Sequence, residues 1–486
     1  MRTESSPVDP GTFGERNFGT ADLGDKRRTA SIIKLANRIV QHPGSSLPAK
    51  LGDPAMLDAM YRLCRSEKVT HEAVLAPHIA RTRETIDECG EEDVVLILHD
   101  GTELDYTSKK KLAGQLGQIG NGRGRGYLVH NSLAVTSDGA VIGLVGQRLY
   151  LRPHVDKNES AVQKRERENR ESRLWCQGVA SLPADRCLVD VCDRGADTFE
   201  FLEREANSGR RFVVRSSYSR SMSPGHDPDT NAGKTTLHTY ARTLEPMGGT
   251  TVTVQKKEPK RKTKRKSGKL KHPPRSKRTA KLLVSAAPVL INSPRKKRGC
   301  HGDEPLPMWV VRVWEPNPPK GEEPLEWFLL TNEPVRTLEA VLRVVTWYRK
   351  RWIVEEYHKG QKTGCGIEDL QFQYRDRLEP AIALLSVTAL TLLKLRDAAR
   401  AEDARTRPAQ EFIGEDYVRV LSEWRHAEER PDWSVYDFVL ALGRMGGHLN
   451  RKSDGPPGWI TLWRGWSELC TRVDAIRRTK IRPRCA

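Results

Sequence analysis

The 486-residue chain has no uninterrupted apolar run of about 20 residues, the length a membrane-spanning helix needs. Its longest apolar stretch, residues 381–393, is broken by Ser386, Thr388 and Thr391 and predicts a buried core helix. The opening MRTESSPVDP lacks the basic-then-apolar layout of a signal peptide, so a cytoplasmic location is expected. Cysteine is scarce: nine residues, scattered and odd in number, argue against a disulfide scaffold and suit reduced thiols. Cys187 and Cys192 are the closest pair, but no second pair or histidine pair stands at zinc-site spacing. No repeat of fixed period is visible. Acidic residues are also in deficit, 63 against 82 Lys and Arg, and the net charge of +19 favours a polyanionic partner, nucleic acid before membrane.

The length allows two to four domains, each with its own core. Residues 1–80 read as helical. Thr20 or Asp22 is placed to cap a helix through DKRRTASIIKLANRIV, which Pro43, Gly44 and Ser45 break. Further helices are expected over 54–66 and 71–88. Lys26, Arg27 and Arg28 fall in a first turn, where side chains and backbone N–H groups can meet phosphates, although basic first turns are common on solvated helices.

At Val94 the texture changes. VVLILH predicts a strand buried on both faces that runs into Asp100-Gly101. GYLVHNSLAVT and VIGLVGQRLY predict alternating strands joined by a turn at Ser137-Asp138-Gly139. A charged helix is expected over 157–180. LVDVCD is a second apolar strand, ending in Asp193, with a helix over 196–208 and the strand RRFVVR after it. Residues 220–305 interrupt this pattern. From Lys256 to Lys281 there are fourteen Lys or Arg, one acid, and prolines at 259, 273 and 274, a basic loop within a strand-rich insertion. The strands MWVVRVW and EWFLLTN, a long helix through 348–362, the core helix and a helical C-terminal part broken by DGPPG complete the chain.

The long helix is the most informative segment. In WYRKRWIVEEYHKGQK, Tyr348, Arg351, Glu355 and Lys362 stand at spacings of three, four and seven. On an unbroken helix all four fall within an arc of about 60°. Three of them suit phosphate and one suits a metal, although a solvated, salt-bridged face has the same composition. Asp100, Asp193 and Glu355 then make two strand-borne aspartates and one helix-borne glutamate. Converging carboxylates repel one another, and a hard divalent cation relieves the repulsion. Spacing does not choose among these and Asp105, Asp190, Asp197 and Glu356.

The same helix resembles the Y-(2)-R-(3)-E-(6)-K signature of the insertion sequence 4 family of bacterial transposases, with Tyr348, Arg351, Glu355 and Lys362 on its four positions. The likeness extends through VEEYHKGQKTG, VCDRGAD, RFVVRS and LEWFLLTNEPV, and recurs in LGDKRRTA and YRLCRS near the start and GRMGGHLNRKSD…GWITLWRGW near the end. Gly195 departs from it where an acidic residue is expected, and Gly101 where a hydroxyl residue is expected.

The resemblance implies an α/β fold. A ribonuclease-H-like catalytic core, a mixed sheet flanked by helices, would span residues 90–400, interrupted by a β-rich basic insertion at about 220–325. Residues 1–80 would be a helical DNA-end-binding domain and 405–486 a helical dimerisation region. It implies a transposase that binds element ends, cleaves them by metal-dependent hydrolysis and hairpin formation, and joins the 3′ ends to target DNA. Asp100, Asp193 and Glu355 would hold Mg²⁺, with Mn²⁺ as a substitute. Tyr348, Arg351 and Lys362 would hold phosphates. Trp327 would stack on a flipped base near Arg215, and His358 and Lys359 would touch the transferred strand. Lys26, Arg27 and Arg28 would serve end binding. The expected partners are double-stranded DNA, as terminal repeats and target, and a second copy of the chain in a paired-end complex. Trp459, Trp463 and Trp466 form an aromatic stripe suited either to that contact or to an ordinary core. The competing functions are a metal nuclease or resolvase with the same core, and a catalytically inactive DNA-binding inhibitor.

Overall fold

The computed structural model describes residues 8–481, except 45, 91–92, 121, 154–157, 168, 181, 184–186, 227–234, 258–273, 295–300, 431 and 452–453. The fold is α/β, with a large mixed sheet flanked by helices. The chain divides into two compact units. The first takes the residues up to Asp93, Gly101–His154 and those from Ile353 onward; the second takes Val94–Asp100 and Val155–Trp352.

The first unit opens with helices α1 (Phe13–Phe18), α2 (Lys26–Gln41), α3 (Leu47–Leu51), α4 (Pro54–Cys64) and α5 (His71–Asp87). The cap of α2 is Asp25, not Thr20 or Asp22: its carboxylate accepts from the Arg27 N–H at 2.8 Å. Asp22 instead closes the preceding turn on Gly24 N–H. The apolar stripe Ile32, Leu35, Ala36, Ile39 and Val40 is buried, which fixes the α2 face that carries the charged residues.

Strand β1 (Val95–Asp105) is eleven residues long, so Asp100 lies within the strand and not at its C-terminal end. After α6 (Lys110–Ala113) and β2 (Gly117–Ile119), β3 (Gly124–Thr136) and β4 (Val141–Tyr150) form the expected antiparallel hairpin, with Gly139 at φ 102 in its turn. That conformation has little steric cost only for glycine. β3 is buried on both faces over most of its length instead of alternating, because the first unit packs material on both sides of it.

In the second unit the expected helix over 157–180 is split into α7 (Ala161–Glu166), a 3₁₀ turn at Glu171–Arg173 and α8 (Leu174–Ala180). The break lets Arg170 and Arg173 both bind Glu200, at 2.5 and 2.9 Å. Then come β5 (Leu188–Cys192), α9 (Phe199–Asn207), β6 (Arg211–Arg215), β7 (Ser221–Pro224), β8 (Thr235–Thr236), α10 (Leu237–Thr243), β9 (Gly248–Val254), β10 (Arg278–Ile291), β11 (Leu306–Trp314), β12 (Glu326–Thr331) and α11 (Leu338–Lys350). β5 lies parallel to both β1 and β6. β6, β12, β11 and β10 follow in antiparallel order, and β10 also pairs with β7 and β9. Most of the basic stretch expected between β9 and β10 lies outside the described residues.

The expected long helix through residues 348–362 is three pieces. α11 ends at Lys350, α12 (Trp352–Lys359) follows a break at Arg351, and Lys362 sits in a π-helical turn at Gly360–Gly364, closed by Cys365 N–H on the Gly360 carbonyl at 2.8 Å. The single 60° arc, which assumes one regular helix, therefore does not hold.

From Ile353 onward the first unit adds the rest of α12, then α13 (Arg375–Ala398), α14 (Ala409–Phe412), α15 (Glu415–His426), α16 (Val435–Met445) and α17 (Trp459–Ile481). α13 is long and apolar enough to cross a membrane, but 89% of its apolar window is buried, as a core helix requires. The tryptophan stripe of α17 is largely covered by its own chain. Trp466 is fully buried and stacks on Tyr417 with ring centroids 5.6 Å apart. Trp459 is 6% exposed, and the Trp463 ring lies where a side chain on Gly44 would stand. The stripe therefore packs largely into the core of its own unit, with Trp463 left half-buried.

Candidate active site

Asp100 and Asp193 come from neighbouring parallel strands. His99 of β1 is in register with Cys192 of β5, so the two aspartates are the next residues on strands about 4.8 Å apart. Both are half-buried. Asp193 also caps the 3₁₀ turn after β5, accepting from the Gly195 N–H at 2.8 Å. Two carboxylates held this close favour a cation between or beside them.

The departure at Gly195 has a packing cause. A Cβ there would lie 2.3 Å from the ring of Trp175, so the indole occupies the space that a side chain at 195 would need. At Gly101 a Cβ would make only ordinary contact, its nearest neighbour being Leu128 at 3.6 Å. No packing reason requires glycine there.

Cations gather beside this pair within the second unit. The Arg351 guanidinium donates from Nη1 to Asp100 Oδ2 at 2.9 Å. Arg215 ends β6, half-buried, beside the Tyr348 hydroxyl. Burial lowers its pKa, the Tyr348 oxygen opposes this, and Arg194 and Arg351 add repulsion. Arg194, which directly follows Asp193, is exposed. Sequence reasoning passed over it, although its place in the Asp-Arg pair was a usable signal. Tyr348 is 5% exposed, with its ring 6.0 Å from that of half-buried Trp327 and tilted by 58°. Arg351 thus binds one of the two carboxylates and Arg194 directly follows the other, while Arg215 and Tyr348 lie near these arginines and Trp327 lies against Tyr348. Guanidinium and phenol donors suit phosphate oxygens, and an indole face suits a base.

The competing carboxylates have other work. Asp190 is fully buried; His99 Nε2 lies 2.8 Å from its Oδ1, and Arg210 reaches its Oδ2 at 2.6 Å. Burial pushes the Asp190 pKa up, but His99 and Arg210 outweigh it and hold it below the ordinary value. Glu205, beside the same arginine, is pushed up to about 9 by burial and by Asp190. Because side chains alternate along β1, this buried charge cluster lies on the face opposite Asp100. Asp197 is fully buried, accepts from the Ser217 and Tyr218 N–H groups at 2.6 and 3.0 Å, and pairs with Arg220.

Within the first unit, Glu355 is half-buried on α12. Its neighbour Glu356 forms an ion pair with Arg396 of α13. His358 is 8% exposed, which turns it into the core, whereas Lys359 is exposed. Lys362 Nζ lies 3.6 Å from Glu368 Oε1. Both line a cavity of about 620 Å³ with Glu103, Asp105 and Arg123. Asp105 is held below the ordinary carboxylate pKa first by Thr107, with Lys362 adding to the effect. Among the described residues, no three His, Cys, Asp or Glu side chains gather as a metal site.

At the N-terminal end, the first turn of α2 presents Lys26 and Arg27 to solvent. Arg28 is half-buried, and its guanidinium donates to the Leu23 carbonyl at 2.8 Å. Residues 11–69, which contain α1 to α4, match a family model described as transposase DNA-binding. That match supports a DNA-binding transposase.

Proposed function

We propose that the protein is a cut-and-paste DNA transposase of the insertion sequence 4 type, which binds element ends, cleaves them and joins the 3′ ends to target DNA. The transposase DNA-binding match over residues 11–69 carries this reading. The register that makes Asp100 and Asp193 neighbours supports a nucleolytic centre. The parallel trio β1, β5 and β6 of the second unit and the antiparallel β3–β4 hairpin of the first are parts that a ribonuclease-H-like core would use.

Asp100 and Asp193 fit a hard divalent cation, because Mg²⁺ is commonly bound through one or two carboxylates and keeps the rest of its sites for water and phosphate. Glu355 is the third ligand of the proposal. Bound Mg²⁺, or Mn²⁺ in its place, would supply an activated water or 3′-hydroxyl and neutralise charge on the phosphate. The chain's own residues hold and orient the DNA. Arg351, Arg215 and Lys362 offer cationic donors to phosphates. Tyr348 offers a hydroxyl, and Trp327 offers a ring for an unstacked base, a contact worth about 1–3 kcal/mol. Lys26 and Arg27 engage element ends, and two copies of the chain pair two ends.

Incubating the full chain with Mg²⁺ and DNA carrying the element's own ends tests the reading. Nicks, hairpins and joined products are expected in that order. Cleavage without joining would instead identify a nuclease or resolvase, and end binding without any product an inhibitor.

A further inference from the structure

We propose that Arg351 is the resident counter-ion of Asp100 in the DNA-free protein, and that a divalent cation gains this carboxylate only when a nucleic-acid phosphate draws Arg351 away. The inference rests on the reading of Asp100 as a metal ligand.

The pair is close and shielded. Arg351 Nη1 stands 2.9 Å from Asp100 Oδ2, and the two side chains are 15% and 14% exposed. Shielded pairs are screened by salt far less than exposed ones. A Mg²⁺ ligand oxygen must come to about 2.0–2.1 Å from the metal. An ion bound at that distance would sit beside a guanidinium that holds the same carboxylate. The repulsion has no chemical escape, because arginine stays protonated in proteins. Metal and Arg351 therefore compete for Asp100.

The surroundings provide the exchange partner. Arg215 and Arg194 lie close enough to repel one another's charge, and the Tyr348 hydroxyl lies beside Arg215. A phosphate entering this cluster relieves the repulsion among the cations. It also offers Arg351 two non-bridging oxygens, which a guanidinium can bind through two parallel N–H donors. The arriving phosphate takes Arg351 and frees Asp100. DNA and metal then bind synergistically, and the cleavage-competent state is confined to the DNA-bound protein. Linkage requires the effect to be reciprocal.

The test measures Mn²⁺ binding by the full chain through the electron paramagnetic resonance signal of the free ion, with no cleavage readout. A short duplex oligonucleotide serves as the phosphate source, and binding to the duplex alone is subtracted. Without duplex, Arg351→Gln should bind Mn²⁺ about tenfold more tightly than the wild type, within the ordinary range of coupling between sites. Duplex should tighten Mn²⁺ binding to the wild type and have little effect on Arg351→Gln. Equal Mn²⁺ affinity of the two proteins without duplex overturns the proposal. So does a wild-type affinity that duplex leaves unchanged, a result that depends on no variant folding. Asp100→Asn separates the two levels: undiminished Mn²⁺ binding there would remove Asp100 from the metal site and overturn the underlying reading itself.

Discussion

Trp466 donates its indole N–H to the backbone carbonyl of Val40 across 2.8 Å, in a site with no solvent exposure. The last helix is thereby fastened to α2, the helix whose first turn presents Lys26 and Arg27. Arg38 of α2 also pairs with Asp474 of α17. Trp466→Ala should cost about 3–5 kcal/mol of stability, as expected for emptying a buried indole site. Trp466→Phe keeps most of the volume but leaves the Val40 carbonyl unpaired, at about 1–3 kcal/mol. Urea denaturation of both variants checks the order. Equal stability of the wild type and Trp466→Ala would show that α17 does not support α2.

The first turn of α2 separates two arginines that look equivalent in sequence. Arg27 is exposed, while Arg28 spends its guanidinium on the Leu23 carbonyl. Arg27→Ala should weaken DNA binding with little change in stability, and should lower the slope of affinity against salt by about 1. Arg28→Ala should lower the melting temperature, because it removes a charged hydrogen bond worth about 1.5–3 kcal/mol. Salt-dependent binding titrations and thermal melts on both variants distinguish the cases. A shared phenotype would assign the two residues one common role.

Glu205 gives the fold a pH dependence. Its carboxyl is pushed from the usual 4.5 up to about 9, first by burial and then by Asp190. Between those values the unfolded chain has lost the proton that the folded chain keeps. The folded state therefore binds more protons, and this group's contribution to stability falls as pH rises. Each unit of the interval costs at most about 1.4 kcal/mol. Glu205→Gln removes the ionisable group while keeping its shape. It should gain stability over the wild type at about pH 8, and the gain should shrink towards about pH 5. Denaturant midpoints at the two pH values measure it. A gap that does not change with pH would show that Glu205 ionises normally.

Local patterns carried much of this architecture. The apolar runs at VVLILH and LVDVCD, the Gly139 turn and the periodicity of α2 all depend on neighbours in sequence, and each forms as its residues predict. Long-range partners were invisible. Asp190 and Asp193 are alike in the string VDVCD, yet Arg210 and His99 bind the first, and their places follow only from the pairing of β1, β5 and β6. The break at Arg351 was equally hidden. A helical wheel assumes regular turns, whereas the chain interrupts α11 and then forms a π turn around Lys362. The tryptophans of α17 showed the period of a helix face, but period alone does not say which chain covers it.

The carboxylates permit a sharp test, because the structure gives neighbouring acids different duties. Asp100→Asn, Asp193→Asn and Glu355→Gln each remove a proposed ligand charge with little change of shape. Loss of one ligand should cost several kcal/mol of transition-state stabilisation, a fall in Mg²⁺-dependent cleavage of about a hundredfold or more, with end binding retained. Glu356→Gln should keep cleavage near the wild-type rate, since Glu356 faces Arg396. Asp190→Asn should behave differently from all of these. It leaves Arg210 buried without its ionised partner, since Glu205 keeps its proton, and breaking a buried pair costs about 3–5 kcal/mol, so the fold should weaken before the chemistry does. Cleavage rates, filter binding and thermal melts on the same five proteins separate the groups. Full activity in any one of the first three would remove that residue from the metal site. A stable but inactive Asp190→Asn would move Asp190 from the supporting structure into the centre itself.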